Sequence, residues 1–378
     1  MSQTRVGIIG LGFIGEQHLR VLTEHPAFQV AGITDQSASL AAARAREYGA
    51  PLYSSPAELL DQARPDYVTI CTPHFSHTSL AIEAMKRGVH ALVEKPFAVS
   101  ASAADECLRV MRETGCTLGV GFGGRTRPDH AELHRLVQSG CIGRILRVTM
   151  VRTEWFRSMA YYRSSPWRGT WKGEGGGILA NQAPHDLDLL VWTAGMPSEV
   201  LAEVNTSGHD IEVEDDVCAL LRWPGGATGT LHVSTNEAPG RSCYEIAGTK
   251  GSVRLDGGRL TLRRLGVDSR EFSETTDQRM DPPPVVAEMV FAAAPEEQPF
   301  QRLRYLHENF VAAIRGEADP ICPAEEGLRE VELANALLVS GLTRRWTPVP
   351  VAREVFDQAL QQLMEAGSLR AVKERGLL

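Results

Sequence analysis

The feature that most limits what this chain can become lies at its start. RVGIIG, residues 5–10, is a short apolar run rich in β-branched side chains, and it leads straight into GLGFIG, residues 10–15. Ile14, Leu19 and Leu22 then fall on one face of a helix predicted over 14–25. A strand that passes through G-x-G-x-x-G into a helix is the context in which that pattern binds a dinucleotide. Gly10 allows the tight turn, Gly12 lets the backbone approach a pyrophosphate, and Gly15 permits close helix–strand packing. The helix start supplies free N–H groups and a positive dipole end. Gly10, Gly12, Phe13, Ile14 and Gly15 are therefore the predicted phosphate-binding residues.

The alternation continues. Strand patterns at 28–34, near 51–53, and at 67–71, 89–93 and 117–121 interleave with helical patterns at 37–48, 56–63, 76–87 and 100–114. This predicts a parallel sheet covered on both faces, a Rossmann-type domain over residues 1–122. The rhythm then changes. After a helix at 129–139 come alternating strands at 143–154, 198–206, 215–222, 227–235, 242–248, 251–255 and 259–264, several parted by glycine turns. That pattern predicts a large open, mainly antiparallel sheet in a second α/β domain over 123–378. Helices are predicted at 184–194, 301–315, 324–344 and 353–366. Residues 266–300, polar and carrying Pro282, Pro283 and Pro284, read as a long excursion without regular structure. A length of 378 residues also exceeds one ordinary core.

Composition narrows the function. A net charge of −8, with no lysine- or arginine-rich run, argues against a nucleic-acid partner. No stretch is long and apolar enough for a membrane span. The seven cysteines are scattered and show no CxxC spacing, so no metal site is predicted. They read as reduced, mostly buried thiols of a cytoplasmic protein.

Asp35 ends the second strand, 20 residues after Gly15. A carboxylate there accepts from both ribose hydroxyls and repels a 2′-phosphate, which favours NAD over NADP. The alternative is a solvated loop aspartate. CTPHFSH, residues 71–77, ends the fourth strand. Thr72, Pro73, His74 and His77 would line the ligand edge of an open sheet, or Ser76 caps a helix with both histidines exposed. VEKPFAVS, residues 93–100, follows the next strand. It sets Glu94 and Lys95 at the same edge. Lys95 is either an exposed cation or a group that stabilises a developing alkoxide.

GLGFIG, CTPHFSH, VEKPFAVS, VGFGGRTRP (120–128) and GGGILANQAPHDLD (175–188), in that order, resemble the Gfo/Idh/MocA family, the glucose–fructose oxidoreductase and inositol dehydrogenase group. The segment 305–345 resembles that family's carboxyl-terminal helices. The resemblance implies NAD-linked hydride transfer to or from a secondary alcohol of a sugar, anhydrosugar or cyclitol. It implies Lys95 as substrate-binding and proton-handling group and His185 as general acid/base. Where the family's commonest form has an aspartate, this chain has Asn181. An amide can orient a hydroxyl but carries no charge.

The run 155–177 holds Trp155, Phe156, Tyr161, Tyr162, Trp167 and Trp171 with Arg157, Arg163 and Arg168 interleaved. Aromatic faces beside cations suit a carbohydrate ring, or the run packs a core or an oligomer interface. Trp155, Tyr162, Asn181 and Arg125 are the candidate substrate contacts. Trp167-Arg168 match the family's pair near the nicotinamide. The resemblance further implies a homodimer or homotetramer. Two other classes remain open: a non-catalytic NAD-binding regulator, and a glycosidase using held NAD for transient oxidation. Among dehydrogenases, C3 oxidation of a levoglucosan-type anhydrosugar is the alternative substrate reading.

Overall fold

Every β-rich run of the first 120 residues, except that near 51–53, pairs into one parallel sheet. In the computed structural model, which describes residues 3–291 and 300–376, that sheet comprises β1 (Thr4–Ile9), β2 (Phe28–Thr34), β3 (Tyr67–Ile70), β4 (His90–Val93) and β5 (Leu118–Val120), in the order β2-β1-β3-β4-β5. The chain near Leu52 makes a single bridge to Ile33. Strands buried on both faces split their side chains between two cores. Val6 and Ile8 join one with Leu19, Leu22 and Tyr67; Ile9, Val68, Ile70 and Val93 join the other with Ala81, Met85 and Leu108.

The first core also takes Leu306, Phe310 and Val311 from the helix Gln301–Ile314. Gly119 on β5 makes room for it: a Cβ there would lie 3.0 Å from the Phe310 ring. The unit built on the parallel sheet thus contains the chain to Thr126, the short stretch Gly173–Gly175, and that helix with the chain to Val331. The sequence reading gave all of 123–378 to the second domain. No local pattern distinguishes a helix that covers one sheet from a helix that covers another.

The second unit is built on a nine-stranded sheet. Its strands are β6 (Ile145–Arg152), β7 (Glu199–Asn205), β8 (Asp216–Arg222), β9 (Thr228–Ser234), β10 (Ser242–Gly248), β11 (Gly251–Asp256), β12 (Arg259–Leu265), β13 (Val285–Phe291) and β14 (Thr347–Pro348). The order is β13-β12-β11-β10-β6-β9-β8-β7-β14, antiparallel except for the β6–β9 pair. Along β8 buried and exposed residues alternate, as a sheet with one covered face requires. The helix Pro184–Ala194 packs on β6 and on the helix Pro128–Gln138.

The predicted excursion 266–300 is a correction. It contains a helix, Ser269–Thr275, and β13, which pairs antiparallel with β12 at the sheet edge. Pro282, Pro283 and Pro284 end where β13 begins, because proline has no N–H for a ladder; their polarity masked the strand beyond. Residues 292–299 of that expectation lie outside the described residues. Among the cysteines, Cys71, Cys107, Cys116 and Cys322 are buried, whereas Cys218 is exposed. No helix among the described residues is long and apolar enough to cross a membrane.

Candidate active site

Crowding builds the glycine turn. Gly10 has φ +92°, and a Cβ there would lie 2.7 Å from the backbone of Cys71, just beyond β3. A Cβ at Gly15 would lie 2.0 Å from the Gly10 carbonyl oxygen. Gly12 is different, since a Cβ there meets nothing within 4 Å. Gly10 and Gly15 are therefore glycine for packing, while Gly12 leaves an open approach to the backbone. The helix Phe13–Glu24 begins with no side-chain cap, so its first N–H groups are left for an anion. Phe13 is 81% exposed, and Ile14 is half-buried. Asp35 is not a solvated loop residue. Its Oδ2 accepts from Leu11 N at 2.7 Å and its Oδ1 from Ser37 N at 2.8 Å, which fixes the carboxylate beside the turn. An open glycine, uncapped helix N–H groups and a fixed carboxylate fit a dinucleotide.

β1, β3 and β4 run parallel, so the segments that follow them share the sheet's carboxyl edge. There the exposed alternative for the two histidines falls, since His74 and His77 are buried. His74 Nδ1 lies 2.8 Å from Glu174 O. His77 Nδ1 and Nε2 lie 2.8 Å from Pro96 O and 2.7 Å from Thr72 O. Burial pushes the His77 imidazole below its ordinary pKa, against the upward pull of those two carbonyls. His77 therefore ties the Thr72-Pro73 turn to the Lys95-Pro96 turn from behind, and Ser76 Oγ secures Thr72 Oγ1 at 2.7 Å. Glu94 is buried, and its Oε2 accepts from Lys95 N at 3.2 Å. Lys95 itself is half-buried.

Arg125, expected at the substrate, is placed elsewhere. It is buried in a short 3₁₀ turn, pairs with Glu326 and donates to Ile321 O at 3.2 Å. Its charge is spent on holding the 321–326 segment in the first unit.

In the second unit, His185 sits in the first turn of the helix Pro184–Ala194, with proline at its start. The next residue, Asp186, is buried. Its Oδ1 lies 3.0 Å from Arg152 Nε, and its Oδ2 accepts from Trp155 Nε1 at 2.9 Å. Burial raises the Asp186 carboxyl to about 6, against the pull of Arg152. Trp155, predicted as a substrate contact, thus uses its indole N–H to hold the helix that carries His185. His130, on the neighbouring helix Pro128–Gln138, has an imidazole pushed well below its ordinary range by burial, opposed by Asp129.

The glycine run reaches this helix through a tight passage. Gly175 has φ +79°, and a Cβ there would lie 2.5 Å from Val99. A Cβ at Gly177 would lie 1.8 Å from Glu214 O. The buried Glu214 carboxylate accepts from Gly177 N at 2.8 Å and Leu179 N at 3.1 Å. Asn181 is half-buried, its N–H bonded to Gly177 O at 2.9 Å.

Tyr162 is 7% exposed, with its hydroxyl 3.2 Å from Thr235 Oγ1. It is a core residue, and its neighbour Tyr161 takes the polar role. Tyr161 OH accepts from Gln182 Nε2 at 3.1 Å and from Arg168. Arg168 lies over the rings of both Tyr161 and Trp167, 4.3 and 4.5 Å from their centroids. Arg157 lies over Tyr161 at 5.0 Å. Sequence reasoning missed Glu214, Arg152 and Gln182, and it chose Tyr162 over Tyr161 within the aromatic run. Gln182 carried a signal, its place beside Asn181; Glu214 and Arg152 come from segments with no motif.

Residues 4–122 match the family described as oxidoreductase family, NAD-binding Rossmann fold, and residues 130–254 match the GFO/IDH/MocA C-terminal domain. Together the matches span more than half of the chain. The chain belongs to the Gfo/Idh/MocA family. It is an NAD-dependent oxidoreductase of α/β architecture.

Among Gfo/Idh/MocA relatives, the levoglucosan dehydrogenase of Pseudarthrobacter phenanthrenivorans is 28% identical over 67% of this chain and 73% of its own length. The inositol 2-dehydrogenase of Rhizobium meliloti is 25% identical over 90% of this chain and 98% of its own. The crystal structure of the WlbA dehydrogenase from Bordetella pertussis, in complex with NADH and UDP-GlcNAcA, superposes with a TM-score of 0.77. It is 28% identical and covers 93% of this chain and 100% of that one.

Proposed function

We propose that this chain oxidises a secondary alcohol of a sugar, anhydrosugar or cyclitol with NAD, and reduces the corresponding ketone in reverse. The observation that carries the reading is the shared carboxyl edge of the parallel sheet. The open glycine turn, whose Gly12 has free space around it, and the Glu94-fixed turn of Lys95 lie on that edge. NAD, bound at that turn, supplies the acceptor for the hydride. His185 takes the hydroxyl proton as general base, a role suited to an imidazole near neutral pH. Lys95 bonds the reacting oxygen and stabilises its developing negative charge. Asn181 orients a substrate hydroxyl without adding charge. Arg168 and Trp167 serve the nicotinamide end of the cofactor.

An anhydrosugar is the first substrate class to test, since the levoglucosan dehydrogenase matches this chain at 28% identity. The test is an absorbance screen for NADH against inositols, aldoses, anhydrosugars and glycosides, with NAD and NADP in parallel. NADH formation with at least one class, and a higher kcat/KM with NAD than with NADP, is the expected result. NAD binding with no turnover of any polyol would point to a regulator. A co-purifying cofactor that is never consumed would point to a glycosidase. Either outcome removes the dehydrogenase reading.

The outward face of the large sheet exposes Leu220, Val286 and Val290. An exposed apolar face of this kind supports a homodimer or homotetramer, checked by light scattering on the purified protein.

A further inference from the structure

Beneath the carboxyl edge of the parallel sheet runs a buried chain of polar side chains that the reaction above does not use. His18 comes from the helix Phe13–Glu24, His307 from the helix Gln301–Ile314, Tyr67 from the start of β3, and Glu94 from the turn after β4. His18, His307 and Tyr67 are wholly shielded from solvent, and Glu94 nearly so. Tyr67 OH lies 2.8 Å from His307 Nδ1. His307 Nε2 lies 2.8 Å from His18 Nδ1. His18 Nε2 lies 3.0 Å from Glu94 Oε1. Gly121 belongs to the same arrangement, since a Cβ there would lie 2.8 Å from Glu94 Oε1.

These contacts admit one direction of donation. The partner of the Tyr67 hydroxyl is His307 Nδ1. If that nitrogen carried the proton, the buried phenol proton would face no acceptor, at the cost of an unsatisfied polar group. Tyr67 therefore donates to Nδ1, and the His307 proton sits on Nε2. His307 then donates to His18 Nδ1, and the His18 proton sits on its own Nε2. His18 donates to Glu94 Oε1, while Lys95 N donates to Oε2. Both histidines remain neutral, and both carboxylate oxygens accept.

The other titratable groups agree with this direction. Cys71 and His77 face Glu94, with Lys95 near His77; His25 lies near His307, and Asp66 near Tyr67. Burial pushes His307 well below its ordinary value. Burial raises the Tyr67 phenol, so it keeps its proton.

We propose that Tyr67, His307 and His18 form a one-way hydrogen-bond array that holds Glu94 as a carboxylate and thereby fixes the Lys95 turn. The three are positioning residues for the hydride transfer proposed above, and this part of the inference rests on that reading. The Tyr67 hydroxyl sets the sense of the array. Without it His307 can take the opposite tautomer, His18 follows, and a protonated Glu94 becomes accessible.

The direct test is long-range proton–nitrogen NMR of the full-length protein with nitrogen-15 histidine. The two rings are assigned with His18→Gln and His307→Gln. Both should appear as Nε2–H tautomers, and His307 should not titrate between about pH 6 and about pH 8. An imidazolium or an Nδ1–H tautomer at either ring would overturn the proposal, whatever the enzyme's substrate. Tyr67→Phe should then shift the His307 signals toward the Nδ1–H form. It should also move the acid limb of kcat upward by about one pH unit while KM for NAD stays unchanged. A Tyr67→Phe enzyme with wild-type tautomers and pH profile, but a lower Tm, would reduce the array to a packing feature. If no polyol is oxidised at all, the functional reading fails while the tautomer pattern still decides the array.

Discussion

The turn at 10–15 and the run at 173–188 are both glycine-rich approaches to a helix, yet they are held in opposite ways. The turn is shaped mainly by backbone: Gly15 packs on the Gly10 carbonyl, Gly10 on the Cys71 backbone, and Gly12 is left open, with the Asp35 side chain fixing the turn. The run depends on partners far away in the chain. Glu214 receives the N–H groups of Gly177 and Leu179, and Arg152 and Trp155 hold Asp186 beside His185. In the turn the useful chemistry is in the backbone, so glycines announce it. In the run the useful chemistry is a side chain, and its support comes from tertiary contacts.

The contrast can be broken by removing chemistry without removing structure. His185→Ala and Lys95→Ala should each lower kcat by at least about a hundredfold with little change in NAD affinity. Effects under about threefold at both sites, read by steady-state kinetics, would sink the assignment. The glycines sharpen the next point. Gly15→Ala and Gly177→Ala should each destabilise folding by about 3 kcal/mol, because both Cβ atoms would strike backbone oxygens. Gly12→Ala should leave Tm nearly unchanged but weaken NAD binding at least about tenfold, by titration of cofactor fluorescence. Equal stability losses at Gly12 and Gly15 would mean that the opening at Gly12 is not a ligand approach.

Asp186 adds a pH signature to the second region alone. Its folded-state pKa of about 6 lies above its ordinary value of 3.8. Its stabilising contribution is therefore full below the ordinary value and is lost as pH rises through about 6. The stability of the wild type relative to Asp186→Asn should fall by about 3 kcal/mol from acid to neutral pH. Urea denaturation across that range checks this, and a flat difference would show that the buried carboxyl does not titrate there. Smallest is Asn181→Asp, which should shift the pH profile of kcat by about one unit. An identical profile would show that position 181 is not electrostatically coupled to the reaction.

The same division runs through what could be read in advance. The helix Pro184–Ala194 was legible residue by residue, because a proline start and a steady apolar face are local signals. Tyr162 and Tyr161 were not separable, because adjacent aromatics look alike until one hydroxyl meets Thr235 and the other meets Gln182 and Arg168. Arg125 looked like a substrate-facing cation until Glu326, 201 residues away, claimed it. For His74 and His77 the sequence left open a place at the ligand edge or exposure beside a helix cap, because nothing local shows which backbone carbonyls will enclose a ring.

What the sequence determined by itself is the order of elements, the dinucleotide turn and the residues fit for acid–base chemistry. These follow from hydrophobic period, glycine geometry and side-chain type, all expressed within a few residues. The tertiary structure decided which polar groups are neutralised, which are fixed and which remain available. It moved Gln301–Ile314 to the parallel sheet, where His307 reaches His18 and, through it, Glu94. A buried polar group must find its partner wherever the fold brings one, and sequence distance carries no record of that meeting.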